Sequence, residues 1–117
     1  MDKEDLKKRT KLLALRIIKL SRRLPNTPES RVISYQIIKS GTSIGANYRV
    51  ACRARSRAEF IAKIGIVIEE ADETAFWLEI IIESDIVKKD LLLPLFNEVN
   101  EIIAIMVASS NSAKNNI

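Results

Sequence analysis

Residues 40–57 read SGTSIGANYRVACRARSR, and residues 58–84 continue with AEFIAKIGIVIEEADETAFWLEIIIES. The second segment lacks proline, and its apolar residues recur at spacings of three and four, which predicts one long amphipathic helix. Ser56 and Glu59 have the spacing of a capping box, in which the serine accepts from the third N–H and the glutamate reaches back. This helix is therefore expected to begin directly after Ser56 and to end at about Glu83.

Two glycines, Gly41 and Gly45, lie in the preceding helix, which is predicted from about Glu29 to Ala54. Inside a helix, each glycine costs about 1 kcal/mol relative to alanine. A helix that keeps both is expected to use the missing side chains, because at four-residue spacing they let a neighbouring helix pack closely. The alternative is a break at the glycines, which would give two shorter helices.

The composition of the whole chain favours helices. Its 117 residues suffice for one domain with one core, and 47% of them are hydrophobic, which argues against disorder over most of the length. Only 3 Gly, 3 Pro and 5% aromatic residues are present, so turn formers and aromatic strand formers are both scarce. These features predict an all-α fold.

Two further helices are predicted, one on each side of this pair. The first runs from about Asp2 to Arg23 and is stopped by the two prolines of residues 24–28. The fourth follows a short polar connection, with Asp90 as its N-cap and Pro94 in or near its first turn. Residues at core spacing in the four helices are Leu6, Thr10, Leu13, Ile17, Leu20 and Leu24; Ile33, Ile37, Gly41, Ile44, Tyr48 and Ala51; Phe60, Ile64, Val67, Ala71, Thr74, Leu78 and Ile81; and Leu92, Leu95, Val99, Ile102 and Met106.

The connections between these long helices are short, which makes sequential helices antiparallel neighbours. The predicted architecture is an antiparallel up-down four-helix bundle that occupies residues 1–110. Residues from Ser109 onward are small and polar, so residues 111–117 are predicted to form a disordered C-terminal tail.

Charge is distributed unevenly along the chain. Residues 1–57 hold 15 Lys/Arg and 4 Asp/Glu, a net charge of +11, whereas residues 58–117 hold 4 Lys/Arg and 11 Asp/Glu, a net charge of −7. A basic half of this size is suited to an anionic polymer. The alternative is that the two halves neutralise each other, within one chain or between subunits.

A strip of cations along the second helix and the turn after it gives the candidate nucleic-acid site. The residues expected to contact phosphates are Arg49, Arg53, Arg55 and Arg57, with Lys39 and Arg23 in support. Tyr35 is the one aromatic residue well placed for base stacking, so binding is expected to be directed mainly at the backbone. The rival interpretation pairs Arg49, Arg53 and Arg57 with glutamates of another helix.

The third helix has more apolar residues than one core face needs. Trp77, Ile66 and Ile80 lie off its core stripe, among Glu70 and Glu73, while Phe76 is predicted on the far side. A tryptophan beside isoleucines and flanked by glutamates is typical of an interface hot spot with a polar rim. A homo-oligomer is therefore expected, with these residues at its interface.

Enzyme chemistry is not expected. The chain has no histidine, which removes the commonest general base and metal ligand, and its single cysteine, Cys52, has no histidine to activate it. The Gly41–Gly45 segment lacks the lysine and spacing of a phosphate-binding loop. No cofactor or metal is predicted. The charged start and the absence of a long uncharged apolar stretch argue against a signal peptide and a membrane span, so a cytoplasmic location is expected.

Most of the chain resembles the bacterial four-helix-bundle proteins encoded in intervening sequences of 23S rRNA genes. The resemblance is carried by Ser43–Arg49, Arg53–Ser56, Glu59-Phe60, Lys63–Ile66, Glu69–Thr74 and Trp77–Glu79, with the Leu24-Pro25 stop upstream. It implies a four-helix fold and a ring-like homo-oligomer, in particular a pentamer. It also implies kinship with the accessory proteins of diversity-generating retroelements, which bind nucleic acid and a reverse transcriptase.

Two functional hypotheses follow from these features. The leading one is an oligomeric module that binds nucleic acid through its arginine surface, with RNA favoured over DNA. The alternative is a structural adaptor, a ring that docks a protein partner and touches no nucleic acid.

Overall fold

The computed structural model describes residues 1–115 and consists of four α-helices: α1 (Lys3–Ser21), α2 (Pro28–Cys52), α3 (Arg57–Glu83) and α4 (Lys89–Asn115). No strand occurs within this part of the chain. The molecule is elongated, with extents of 49 × 21 × 20 Å, because the helices pack along their lengths. The sequence-based prediction of an all-α, four-helix fold is confirmed, and the helix ends mostly agree to within a few residues.

The first two helices begin at N-caps made by short side chains. The Asp2 carboxylate accepts from the Asp5 N–H at 2.8 Å, and the Asp5 carboxylate accepts from the Asp2 N–H at 3.3 Å, a complete capping box. The bond from the Asp5 N–H lowers the pKa of the Asp2 carboxyl. The Thr27 hydroxyl accepts from the Ser30 N–H at 3.2 Å, and Pro28 holds the first turn of α2.

The predicted cap of α3 is confirmed in one of its two bonds. The Ser56 hydroxyl accepts from the Glu59 N–H at 3.1 Å, so the helix begins directly after Ser56. The Glu59 carboxylate turns instead towards Arg55, whose Nε lies 3.9 Å from it. The Arg55 guanidinium lies four residues before Glu59 and competes with the Ser56 N–H for the Glu59 carboxylate.

The start of α4 differs by two residues from the prediction. Asp90, predicted as the N-cap, lies in the first turn of a helix that begins at Lys89. Its charge still complements the positive end of the helix dipole there. Pro94 lies inside the helix, beyond the first turn, where it removes one backbone donor.

The structure places residues 111–115 of the predicted tail in α4, which continues to Asn115. No glycine or proline follows Pro94 to stop the helix, and the buried side chain of Ser110 fixes its last part against the fold. Lys114 in the final turn complements the negative end of the helix dipole. The rest of that tail, residues 116–117, lies outside the described residues.

The core follows the predicted spacing closely. Of the residues expected there, only Leu24 and Phe60 are partly exposed, and both pack against the core. The largest side chains with less than 2% exposure are Leu13, Ile17, Ile37, Ile44, Ile64, Leu78, Ile81, Leu92, Ile102 and Met106. One apolar stripe from each helix therefore contributes to a single core.

The α2 helix is continuous, so the alternative of a break at its glycines is wrong. A Cβ atom added to Gly41 would lie 3.0 Å from both Cγ atoms of Ile17, and one added to Gly45 would lie 3.1 Å from Oγ1 of Thr10. The side chains of α1 thus occupy the space that the two glycines leave empty. Since Gly41 faces the later residue of α1 and Gly45 the earlier one, α1 and α2 run in opposite directions.

The contacts between pairs of helices differ in extent. The α2 helix packs against both α1 and α3, and α3 packs against α4, whereas the contact between α1 and α4 is much smaller. Arg9 spans that weaker contact: its Nε and one terminal nitrogen each lie 2.7 Å from an oxygen of Glu98, and the same nitrogen lies 2.8 Å from Glu101. This forked, partly buried ion pair joins the two helices.

The same ion pair makes stability depend on pH. Its hydrogen bonds from Arg9 hold the pKa of the Glu98 carboxyl below its usual value of 4.5 and raise the pKa of Arg9. A carboxyl whose pKa is lowered by folding stabilises the fold above its unfolded-state pKa, and this contribution is lost as the pH falls through the folded-state pKa.

We therefore expect Glu98→Gln to lower the free energy of unfolding by roughly 1–2 kcal/mol at pH 7, because the charged partner is lost. The difference from the wild type should shrink as the pH falls below about 4. Urea unfolding at both pH values measures it, with exposed Glu79→Gln as control. A deficit of the same size at both pH values would show that the charge of Glu98 is not responsible.

By length and composition alone, α4 is apolar enough to cross a membrane, with an 18-residue window of mean hydropathy 1.7. Its pattern is nevertheless amphipathic, because Glu98 and Glu101 lie within the helix and pair with Arg9. Its buried side chains form one stripe towards the core: Leu92, Leu95, Val99, Ile102, Met106 and Ser110.

Candidate nucleic-acid interface

A cationic groove lies between the start of α1 and the end of α2. Because the two helices run in opposite directions, the first turns of α1 lie beside the last turns of α2. The groove has a volume of about 320 Å³. We call it the basic groove, and its lining residues are Glu4, Lys7, Lys8, Lys11, Arg49 and Arg53. Five cations and one carboxylate thus share one concave surface.

The groove continues along the crevice between the two helices. A second concavity of about 310 Å³ shares Lys11 and Arg49 with the basic groove. Its other lining residues are small: Thr10, Ala14, Thr42, Gly45 and Ala46. Small side chains keep the crevice open, so a chain of phosphates would find a channel with cations at one end.

Most cations of the basic groove have no intramolecular partner. Lys7 pairs with Glu4 at 3.1 Å. Within residues 1–115, no carboxylate lies within 4.0 Å of a charged nitrogen of Lys11, Arg49 or Arg53. Unpaired cations in a concave site concentrate positive potential and attract anions.

The other predicted phosphate contacts lie elsewhere. Arg55 lies in the turn between α2 and α3, with its side chain 91% exposed, and Arg57 is exposed at the first position of α3; both are close in sequence to the groove. Lys39 is exposed on α2 but does not line the groove. Arg23 lies near the opposite end of α2 from Arg53, a separation of about 37 Å along the helix.

The contribution of α1 to this site was not predicted from the sequence. Lys7 and Lys8 were considered only as charges near the chain start and Lys11 was not singled out, although their spacing of three and four places them on adjoining strips of one helix surface. Combined with the opposite direction of α1 and α2, that spacing predicts their position beside Arg49 and Arg53.

On the outer surface of α3, two of the three predicted apolar interface residues are less exposed than expected. Ile66 is 36% exposed, whereas Trp77 and Ile80 are half-buried against the core. Phe76, predicted on the far side, is 51% exposed and lies edge-to-face with Trp77, with ring centroids 5.1 Å apart. A ring as large as that of Trp77, at the margin of the buried stripe, folds back onto the core and leaves Phe76 outside.

The predicted glutamates of that interface are differently exposed. Glu73 is exposed and Glu70 is half-buried. Ile66, Glu69, Glu73, Phe76 and Ile80 follow one another at spacings of three and four, so they form a single strip along α3. We call this strip the α3 outer face. It combines three apolar and two acidic side chains over about four turns of helix.

Tyr48 and Cys52, near the end of α2, both pack against the core. Burial, followed by a hydrogen bond with Cys52, raises the pKa of Tyr48, so its phenol stays neutral. Cys52 is half-buried and packs against the core. Across residues 1–115, no three His, Cys, Asp or Glu side chains gather where they could hold a metal ion.

These features define the molecule as an all-α protein of four helices with a cationic groove on one side. A family model described as 23S rRNA-intervening sequence protein matches residues 3–108. The chain therefore belongs to the 23S rRNA-intervening sequence protein family.

A solved structure supports the same fold. The chain is similar to a protein of unknown function from the S23 ribosomal protein family of Bacteroides thetaiotaomicron, with 38% identity and a TM-score of 0.83. The similarity covers 89% of this chain and 96% of that one. The search of curated proteins finds no match.

Proposed function

We propose that the protein is a homo-oligomer that binds RNA through its basic groove. The observation that supports this most strongly is the convergence of Lys7, Lys8, Lys11, Arg49 and Arg53 on one concave surface with a single carboxylate. Lysine and arginine side chains bind phosphates by charge, and arginine adds forked hydrogen bonds. Arg55 and Arg57 extend the positive surface beyond the end of the groove.

The lining of the groove favours contact with the RNA backbone rather than with bases. None of its lining residues is aromatic, so base stacking has no platform there. Phosphate contacts position a nucleic acid without reading its sequence. The RNA assignment rests on the family, whose name refers to an rRNA insertion.

The proposal includes an antiparallel up-down arrangement of the four helices and a pentameric ring, as the family resemblance implies. Short connections and the opposite directions of α1 and α2 support the first of these. Kinship with the accessory proteins of diversity-generating retroelements and a cytoplasmic location are also parts of the proposal, which assigns no catalytic step and no cofactor.

Backbone recognition should make binding nearly independent of RNA sequence. We expect two RNA hairpins of equal length and unrelated sequence to bind with dissociation constants within about threefold of each other at low salt. Fluorescence anisotropy with labelled hairpins measures these constants, and a DNA duplex of matching sequence tests the preference for RNA.

Discrimination of more than about a hundredfold between the hairpins would contradict backbone recognition, since specific sites exceed non-specific ones by such factors. Equal affinity for the DNA duplex would contradict the RNA assignment. Absence of binding to all three, with the oligomer intact, would favour the adaptor hypothesis instead.

A further inference from the structure

A second groove lies between α1 and α4. The contact between α1 and α4 is small, and a groove of about 180 Å³ lies between the end of α1 and the start of α4. Its apolar lining residues are Leu20, Val87, Leu91 and Leu95, and its cations are Arg16, Lys19 and Arg23. Leu91 is 53% exposed, so apolar surface is left uncovered within a basic rim. We call this the α1–α4 groove.

The α3 outer face has the complementary composition. Its exposed apolar side chains are Ile66 and Phe76, with half-buried Ile80 beside them, and Glu69 and Glu73 lie between these residues. None of these five residues is a cation, and Lys63 lies one turn before Ile66, at the edge of the strip. The α1–α4 groove is thus apolar with cations at its rim, and the α3 outer face is apolar with carboxylates between its apolar side chains.

The two surfaces cannot meet within one chain. Within residues 1–115, α3 packs against α2 and α4 but makes no contact with α1. Ile66 and Phe76 of the α3 outer face are exposed and lie outside the core that all four helices share. Contact between the two surfaces therefore requires a second copy of the chain.

We infer that the α1–α4 groove of one copy receives the α3 outer face of the next. Phe76 and Ile66 would pack on Leu91 and its apolar neighbours, while Glu69 and Glu73 approach the basic rim. Opposite charges around an apolar centre fix the orientation of such a contact and disfavour groove-to-groove pairing. This inference rests on the proposed homo-oligomer and identifies its two surfaces.

Because the two surfaces differ, the contact is heterologous. Each copy uses its groove towards one neighbour and its α3 outer face towards the other, which closes into a ring when the rotation between copies permits. The basic groove between α1 and α2 takes no part and stays available to RNA.

A charge-swap experiment tests the pairing. The first variant, Lys19→Glu/Arg23→Glu, makes the rim of the α1–α4 groove acidic; the second, Glu69→Lys/Glu73→Lys, makes the α3 outer face basic. We expect each variant alone to sediment as a monomer at a concentration where the wild type is assembled, since like charges then face each other. Mixed together, the two variants should associate with each other, because each altered surface is complementary to the altered surface of the other variant. The two variants must then alternate, so the mixture should form open or even-numbered assemblies and not a ring of five.

Circular dichroism verifies that both variants fold, and Arg49→Glu/Arg53→Glu is the control that should assemble like the wild type. Variants that assemble normally by themselves, or folded monomeric variants that fail to assemble when mixed, would overturn the pairing and leave the proposed oligomer standing. A monomeric wild type would overturn the proposed oligomer itself.

Discussion

Gly41→Leu is expected to lower the free energy of unfolding by roughly 3 kcal/mol, an overpacking cost at the upper end of the usual range. The reason is local: the first added carbon already meets two Cγ atoms of Ile17 at 3.0 Å, and Ile17 is fully buried. The remaining carbons of leucine have no space unless α1 moves away from α2. Such movement would also widen the basic groove, whose walls are these two helices.

Gly65→Leu is the matched control. A Cβ atom at Gly65 would meet nothing within 4 Å, so leucine there gains helix propensity without a clash. We expect this variant to be more stable than the wild type by about 0.5–1 kcal/mol. Urea unfolding followed by circular dichroism compares the two, and equal stabilities would contradict the close packing at Gly41. If Gly41→Leu does not fold, the smaller Gly41→Ala variant provides the comparison with Gly65→Ala.

Arg49→Glu/Arg53→Glu is expected to weaken RNA binding by about a hundredfold or more at low salt. Two phosphate contacts are lost and two negative charges enter the groove, and every 1.4 kcal/mol lost is a factor of about ten. Both side chains are exposed, so the fold should be unaffected. Anisotropy with a labelled RNA hairpin measures the loss.

A charge-matched control separates the groove from the total charge. Lys88 and Lys89 are exposed in and after the turn between α3 and α4, and Lys88→Glu/Lys89→Glu changes the net charge by the same amount. We expect this variant to lose less than about tenfold in affinity, because only the long-range field is altered. Similar losses in the two variants would mean that RNA responds to overall charge and not to the basic groove.

The helices and the core residues could be predicted from the sequence because both follow from the spacing of apolar residues within each helix. Apolar residues at intervals of three and four located each core stripe, and Ser56 located the start of α3. The end of α4 could not be predicted in this way. Small polar residues there suggested a tail, but packing of Ser110 against the fold carries the helix on to Asn115.

The candidate site could be predicted from the sequence only in part, because it is formed by two helices that are distant in sequence. Arg49 and Arg53 share a strip of α2 and were therefore visible to a pattern on one helix. Lys8 and Lys11 join them only through the pairing of α1 with α2, which a single-helix pattern does not contain. Phe76 is exposed, as predicted, but Trp77 was misplaced for a related reason: which of two adjacent rings covers the core depends on neighbouring packing.

The salt dependence of RNA binding tests the central claim most directly. If the five cations of the basic groove neutralise phosphates of a helical RNA, the slope of log K against log salt should be about −4 to −5 for the wild type. For Arg49→Glu/Arg53→Glu the slope should be shallower by about 2. A wild-type slope near zero, or equal slopes for the two proteins, would contradict the claim that this groove binds the RNA backbone.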